Sequence, residues 1–175
     1  KPFAHQDLDN LKEFARTELG IEQLEPWDIP YVSEQLKKAR YDYSEDEVKQ
    51  YFTEPKVLEG LFSVAQQLFG AQFTPLVDAS TWHPDVKAYQ VEQNGAPVGY
   101  LYLDLYARSG KQSGAWVGSE RHRRFTHQGK QYLPIAYLTC NFSAPQDGRP
   151  ALLTHDDVIT LFHESGHALH HLLSQ

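Results

Sequence analysis

The chain has 175 residues, with 16 basic and 23 acidic side chains and a formal net charge of −7 at neutral pH. This length suits about one domain with its own core, and the acidic balance argues against nucleic acid or an anionic membrane as partner. The single cysteine, Cys140, excludes an intrachain disulfide framework and is typical of a cytoplasmic protein. No apolar stretch is long enough to span a membrane, and a monomer is the default expectation.

Helical periodicity dominates the first 70 residues. Residues 5–19 place leucine and alanine at helical spacing, and Gly20 is a natural terminator. A second helix is predicted from Trp27 or Ile29 to Arg40. The sequence SEDE, with Ser44 as its first residue, predicts a capping box, and residues 54–70 predict a further helix with proline in its first turn.

The pattern changes to strands after residue 71. Residues 86–106 predict a β-hairpin with its turn at residues 94–95, an Asn-Gly pair. In its second strand the side chains alternate between two faces. We expect the leucine face to lie in the core and the tyrosine and aspartate face to be partly exposed to solvent. These two faces consist of Leu101, Leu103 and Leu105, and of Tyr100, Tyr102, Asp104 and Tyr106.

The remaining chain predicts one more strand and one long helix. Residues 107–131 are glycine-rich and basic, which predicts a loop around a short strand at GAW, and the RHRR run at 121–124 is expected to be solvated. Residues 133–142 predict a strand, and Thr154 with Asp157 predicts a capping box for the last helix. The predicted fold class is therefore α+β, mainly helical with a small sheet that contains antiparallel strands. We divide the chain into a helical region at residues 1–71, a small sheet at 72–145 and the histidine-bearing helix at 154–173.

The last helix carries a candidate metal site. His163 and His167 are four residues apart, so at 100° per residue their rings lie one above the other and can converge on one ion. Glu164 follows the first histidine and can reach a metal-bound water without occupying the metal. This is the H-E-x-x-H arrangement of zinc peptidases, in which the glutamate is the general base. We expect His170 and His171 to be solvated or to support the ligands.

The alternative is that these histidines lie on an ordinary surface helix and bind no metal. One observation supports this alternative and another opposes it. The motif occurs by chance in roughly one chain in a few hundred. Gly166 lies inside the helix, where glycine costs about 1 kcal/mol relative to alanine, and this indicates that something approaches the backbone there. Spacing, glycine and amphipathicity together favour the metal site.

The residues 154–173, THDDVITLFHESGHALHHLL, resemble the catalytic helix of the thimet-oligopeptidase family of zinc metallopeptidases. Further segments resemble the same family, among them YFTEPKVLEGLFSVAQQLFG, GYLYLDLYARSGKQSGAW and YLTCNFSAP. The resemblance implies a partial zincin-like fold and a cytoplasmic zinc endopeptidase that cuts short peptides. It implies that Zn²⁺ is held by His163 and His167, with Glu164 as catalytic base. A strand edge near the metal, at residues 136–142 or in the neighbouring strand, is expected to pair with the substrate backbone.

The chain departs from the family in two respects. The third zinc ligand is a glutamate on a later helix, and the chain reaches Gln175 before any such helix. The chain also lacks methionine and ends inside a helical pattern, so we expect it to be a central portion of a larger metallopeptidase catalytic domain, inactive alone. Position 165 is serine where the family usually has a large apolar residue. Losing an aromatic ring from a core position costs about 3–5 kcal/mol if nothing refills the space.

Two other functions are compatible with the histidine motif and the predicted fold. A metal-binding or peptide-binding module could keep the fold and lack the third ligand. A metal-dependent hydrolase could act on something other than peptides, although the run of family-like segments argues against it. Cleavage specificity does not follow from the residues.

Overall fold

The computed structural model describes residues 2–41 and 45–174. They form two compact units, which divide between residues 50 and 51. The first unit is helical, and the second combines helices with a small mixed sheet, so the α+β fold class is confirmed. No helix among the described residues combines the length and the apolar character needed to cross a membrane.

The first unit contains two long helices packed on each other. They are α1 (Pro2–Leu19) and α2 (Ile29–Tyr41), and the short α3 (Glu45–Val48) follows. Gly20 has a φ of +68°, so it ends α1 in the left-handed conformation that glycine adopts without strain. The predicted cap Ser44 lies outside the described residues. The core of this unit is small and consists of Leu11, Ala15 and Val32, with partly buried Phe14, Leu19, Ile21, Leu24 and Leu36 around it.

The first long helix of the second unit packs against the sheet. A 3₁₀ turn (Lys49–Tyr51) leads to α4 (Glu54–Phe69), and Gly70 caps α4 with a φ of +68°. Apolar residues at helical spacing on α4 are buried at Leu58, Leu61 and Ala65, because residues three and four apart share one face, whereas Leu68 and Phe69 near its end are exposed.

The sheet of the second unit has five strands in the order β1-β2-β3-β7-β4. Neighbours are antiparallel except β3 and β7, which run parallel. A separate two-stranded hairpin is formed by β5 and β6. The strands are β1 (Ala71–Pro75), β2 (Lys87–Gln93), β3 (Ala96–Tyr106), β4 (Trp116–Arg121), β5 (Arg124–Phe125), β6 (Gln131–Tyr132) and β7 (Ile135–Phe142).

The last helix, α5 (His155–Leu173), packs against β3, β4 and β7. Leu161 and Leu172 of α5 and Leu103 and Leu138 of the sheet are fully buried between these layers. The predicted hairpin is confirmed, and its turn residues Asn94 and Gly95 both have positive φ, as a type I′ turn requires.

Three expectations about the sheet region need correction. Residues 107–131 are more ordered than a loop with one short strand, because they contain β4, β5 and the first residue of β6. Asp104 and Tyr106 are buried rather than partly exposed to solvent. Arg108, Lys111 and Trp82 cover the Asp104 carboxylate. The RHRR run is solvated only in part: His122 and Arg124 are exposed, whereas the half-buried Arg121 and Arg123 donate to backbone carbonyls of other segments.

Candidate metal centre

Both ends of α5 are tied to the rest of the second unit. At the N-terminus the capping box is confirmed: Thr154 Oγ1 accepts from Asp157 N at 3.0 Å, and Asp157 Oδ2 accepts from Thr154 N at 2.9 Å. Residues 151–153 also pair with residues 52–54, where Leu153 N donates to Phe52 O at 2.9 Å. The capping residues fix where the helix begins. The pairing with residues 52–54 fixes its start next to the segment that leads into α4.

An arginine from the strand connection holds the other end of α5. Arg123 Nη2 donates to Leu172 O at 3.0 Å and to Val98 O at 2.9 Å, and Arg123 Nε donates to Ser174 O at 3.2 Å. The last carbonyls of a helix lack partners within the helix, and a cation there also interacts favourably with the helix dipole. Arg123 therefore joins the C-terminal turn of α5 to β3.

His163 and His167 come together as their spacing predicts. Their Nε2 atoms lie 3.2 Å apart, and their ring centroids are 4.9 Å apart at an interplanar angle of 82°. Two nitrogens at zinc-bonding distance in tetrahedral directions are separated by about 3.3 Å. Both rings are exposed to solvent. The separation of the two Nε2 atoms thus suits two positions of a tetrahedral zinc site.

Glu164 lies on the side of α5 that faces the sheet. Its side chain is half-buried. Burial raises the pKa of Cys140 on β7 to about 12, and the negative charge of Glu164 adds to this rise. The carboxylate is therefore within electrostatic reach of β7, an internal strand of the sheet.

The pair has no third protein ligand within the stretch of chain that the structure describes. No group of three or more histidine, cysteine, aspartate or glutamate side chains converges there in a way that could hold a metal. Two imidazoles supply only half of a four-coordinate zinc site. A complete site needs a further ligand, and the resemblance to the peptidase family places a glutamate in that role.

Ser165 is buried in the core face of α5, as the helical wheel predicts. It is 4% exposed, and its hydroxyl has no hydrogen-bond partner. It lines a small enclosed cavity with room for about one water molecule. Phe62 and Phe73 border the same cavity as a stacked pair with centroids 4.3 Å apart. Neighbouring rings therefore occupy most of the space that an aromatic side chain at position 165 would take.

Gly166 faces a shallow groove between α4 and α5. A Cβ built at this position meets no atom within 4 Å among the described residues. Phe69, Leu169 and Leu173 line the groove. The expected close approach to the Gly166 backbone is therefore not made by the described portion of the chain.

The remaining histidines of the helix differ from each other. His170 is exposed, whereas His171 is half-buried and its Nε2 lies 3.1 Å from the carbonyl oxygen of Arg121. The ring of His122 packs edge-on against His171. Sequence reasoning missed this contact and the Arg123 bonds, since no local pattern relates residues 121–123 to residues 171–174.

A buried ionic network holds the loop before β4. Burial alone would raise the pKa of Asp104, but hydrogen bonds from Arg108, Trp82 and Lys111 outweigh it and hold that pKa well below its usual value. Lys111 Nζ also donates to the backbone carbonyls of Asp104 and Tyr106. The loop is thereby anchored at the start of the edge strand beside α5.

Comparisons with known proteins find relatives that match nearly the whole chain. The sequence profile described as Peptidase family M3 matches residues 1–175. The chain is 43% identical over 176 residues to "Oligopeptidase A" of Escherichia coli (strain K12), covering 100% of the chain and 26% of that protein. It is 40% identical over 180 residues to "Organellar oligopeptidase A, chloroplastic/mitochondrial" of Arabidopsis thaliana, covering 98% and 23%. It is 38% identical over 176 residues to "Dipeptidyl carboxypeptidase" of Escherichia coli, covering 98% and 25%. The chain thus spans about a quarter of the length of these relatives.

Proposed function

Because the chain belongs to peptidase family M3, we propose that the whole protein is a zinc-dependent endopeptidase that hydrolyses short peptides in the cytoplasm. In this proposal His163 and His167 are two zinc ligands and Glu164 is the general base. The second unit then belongs to a zincin-like catalytic domain, to which the described residues contribute the metal helix and the sheet beside it.

The observation that carries the proposal is the separation of 3.2 Å between the two Nε2 atoms. This spacing suits one tetrahedral ion, and it occurs on a helix whose two ends are both fixed to the sheet unit. A helix with scattered surface histidines would not need either feature. The family relatives supply the class of reaction, since those quoted above carry peptidase names.

A zinc ion supplies Lewis-acid chemistry, because it lowers the pKa of water and polarises a carbonyl group. Glu164 accepts the proton that the attacking water gives up, and it returns that proton to the amine that leaves. General-base catalysis of this kind contributes about 10²–10⁴-fold to the rate. Glu164 is half-buried and follows His163 directly on α5, which supports its assignment as the base.

Substrate binding is proposed at the edge of the sheet. β7 is paired on both sides, by β3 and by β4, so residues 136–142 have no free edge for a peptide. Its neighbour β4 is the last strand of the sheet on the side of α5. A peptide can add to that edge through backbone hydrogen bonds, which requires no particular side chain of the substrate. Coordinates with a bound inhibitor that make no backbone pairing with Trp116–Arg121 would contradict this assignment.

The test uses the full-length protein, because the chain covers about a quarter of its relatives' length. We expect Glu164→Gln to lower kcat by about 10²–10⁴-fold toward a quenched-fluorescence peptide, with bound zinc unchanged. Glu59→Gln, an exposed glutamate on α4, is the matched control and should retain activity. Removing zinc with a chelator should abolish cleavage, and added zinc should restore it.

Two outcomes would contradict the proposal. Full activity of Glu164→Gln would remove this glutamate from the reaction, and absence of peptide cleavage by the zinc-loaded protein would favour a binding module. A peptide with a blocked C-terminus separates endopeptidase action from release of C-terminal dipeptides, the activity that the name of one relative describes.

A further inference from the structure

A second histidine pair is formed by His171, one turn beyond His167 on α5, and His122 from another segment. His163, His167 and His171 are four residues apart in succession, so all three project from one side of the helix. His122, from the connection between β4 and β5, meets His171 with ring centroids 4.9 Å apart and an interplanar angle of 81°. The values for His163 and His167 are 4.9 Å and 82°. The two pairs therefore share the same ring separation and nearly the same interplanar angle.

We propose that His122 and His171 form a second binding site for a divalent transition-metal ion, weaker than a complete zinc site. Imidazole nitrogen is a good ligand for zinc, copper and nickel ions. The proposal concerns a site separate from the candidate catalytic pair, and it does not depend on peptidase activity.

The hydrogen bond of His171 prepares this ring for metal binding. The carbonyl oxygen of Arg121 can only accept, so at 3.1 Å the Nε2 atom of His171 carries the proton. In the neutral ring Nδ1 then has the lone pair that a metal requires. Metal-bound histidines commonly donate their other ring N–H to a backbone carbonyl, which fixes the tautomer and the ring orientation.

The surroundings of the pair allow an ion to enter. His122, His167, His170 and His171 line one open cleft together with Arg123 and Ser174. The Arg123 guanidinium is held by backbone carbonyls, and its positive charge lowers the affinity of this cleft for a cation. No third ligand converges among the described residues, so water completes the coordination, and the affinity is lower than at a site with three protein ligands.

The alternative is that the two rings only pack edge to edge, which aromatic rings prefer on their own. Phenylalanine at position 122 separates these possibilities, since it keeps a ring for the contact and removes both nitrogens. Glutamine at position 171 serves as a second variant, because its side-chain N–H can still donate to the Arg121 carbonyl.

The experiment measures binding of Cu²⁺ by titration calorimetry, since copper binds nitrogen ligands most tightly among the divalent ions of its row. The background is the 175-residue chain with His163→Ala and His167→Ala, so the candidate catalytic pair contributes nothing. We expect one copper site of moderate affinity in this background. His122→Phe and His171→Gln should each weaken it by at least about 10-fold, because even a residue that only orients a metal ligand contributes 10- to 100-fold.

His127→Phe is the matched control, because His127 is an exposed histidine in the nearby turn between β5 and β6 and should leave the copper affinity unchanged. Thermal unfolding of each variant shows that the chain still folds. Copper affinities that stay equal in His122→Phe and His171→Gln would overturn the site. An equal loss in His127→Phe would also overturn it, because the binding would then be spread over surface histidines.

Discussion

The Nε2 atoms of His163 and His167 lie 3.2 Å apart on successive turns of α5, which is about the separation of two nitrogens on one tetrahedral zinc ion. Glu164, between them in sequence, is half-buried toward the sheet. A short segment therefore contains two ligands and a base, while the rest of the described chain adds no third ligand.

This ligand set predicts weak zinc binding by the 175-residue chain. After dialysis against metal-free buffer, we expect well below one zinc ion per chain by elemental analysis, because two imidazoles leave zinc under-coordinated. The full-length protein should retain about one, and His163→Ala with His167→Ala should remove it. Near-stoichiometric zinc in the 175-residue chain would show that further ligands reach the pair, for example from a second copy.

Replacement of Ser165 by alanine should stabilise the chain. The buried hydroxyl has no partner, and an unsatisfied buried polar group costs about 1–3 kcal/mol. We expect Ser165→Ala to raise the free energy of unfolding by about 1–2 kcal/mol, measured by urea denaturation. Ser63→Ala on the exposed face of α4 controls for helix propensity and should change stability by about 0.5 kcal/mol. If Ser165→Ala raises the free energy of unfolding no more than Ser63→Ala does, a water molecule satisfies the Ser165 hydroxyl.

Loss of the Arg123 guanidinium should loosen the end of the metal helix. Arg123→Met removes donors to Val98, Leu172 and Ser174, and hydrogen bonds to charged groups contribute about 1.5–3 kcal/mol. Because Arg123 is only partly buried, we expect a loss of about 1–3 kcal/mol in unfolding free energy. Backbone amides near residues 170–174 should also exchange faster.

Arg124 provides the charge-matched control for that variant. Its guanidinium lies over the Tyr132 ring, 4.9 Å from the centroid, in the separate hairpin. An exposed cation–π contact contributes about 0.5–1 kcal/mol, so Arg124→Met should cost less and should leave exchange near residue 172 unchanged. Equal effects of the two variants would argue against a specific role for Arg123.

The Asp104 network predicts a dependence of stability on pH. Hydrogen bonds from Arg108, Trp82 and Lys111 hold the pKa of Asp104 below its unfolded value despite burial. Its stabilising contribution is thus fully present above about pH 4 and is lost as the pH falls below that. Asp104→Asn should cost about 3 kcal/mol at pH 7, near the low end for a broken buried pair, because Lys111 keeps two carbonyl partners.

The pH dependence itself is measured as a difference between two proteins. The gap in unfolding free energy between the native sequence and Asp104→Asn should be narrower at pH 3 than at pH 7, by urea denaturation at each pH. A gap of equal size at both values would show that the Asp104 charge is not the source of the stabilisation.

The amino-acid sequence by itself determined the helices, the Asn94–Gly95 hairpin and the histidine pair of α5. Each of these depends on residues within a few positions of one another, where helical or strand periodicity and capping chemistry act directly. The separation of His163 and His167 is set by one turn of one helix, so four residues of sequence were enough to predict it.

Only the tertiary structure decided the features that join distant segments. The parallel pairing of β3 with β7 makes β7 an internal strand and leaves β4 at the edge. Arg123 reaches the last turn of α5 across about 50 residues of sequence, and the rings of Phe62 and Phe73 fill most of the space beside Ser165. No local period encodes such contacts, because they arise from the shape and polarity of surfaces that meet only after the chain has folded.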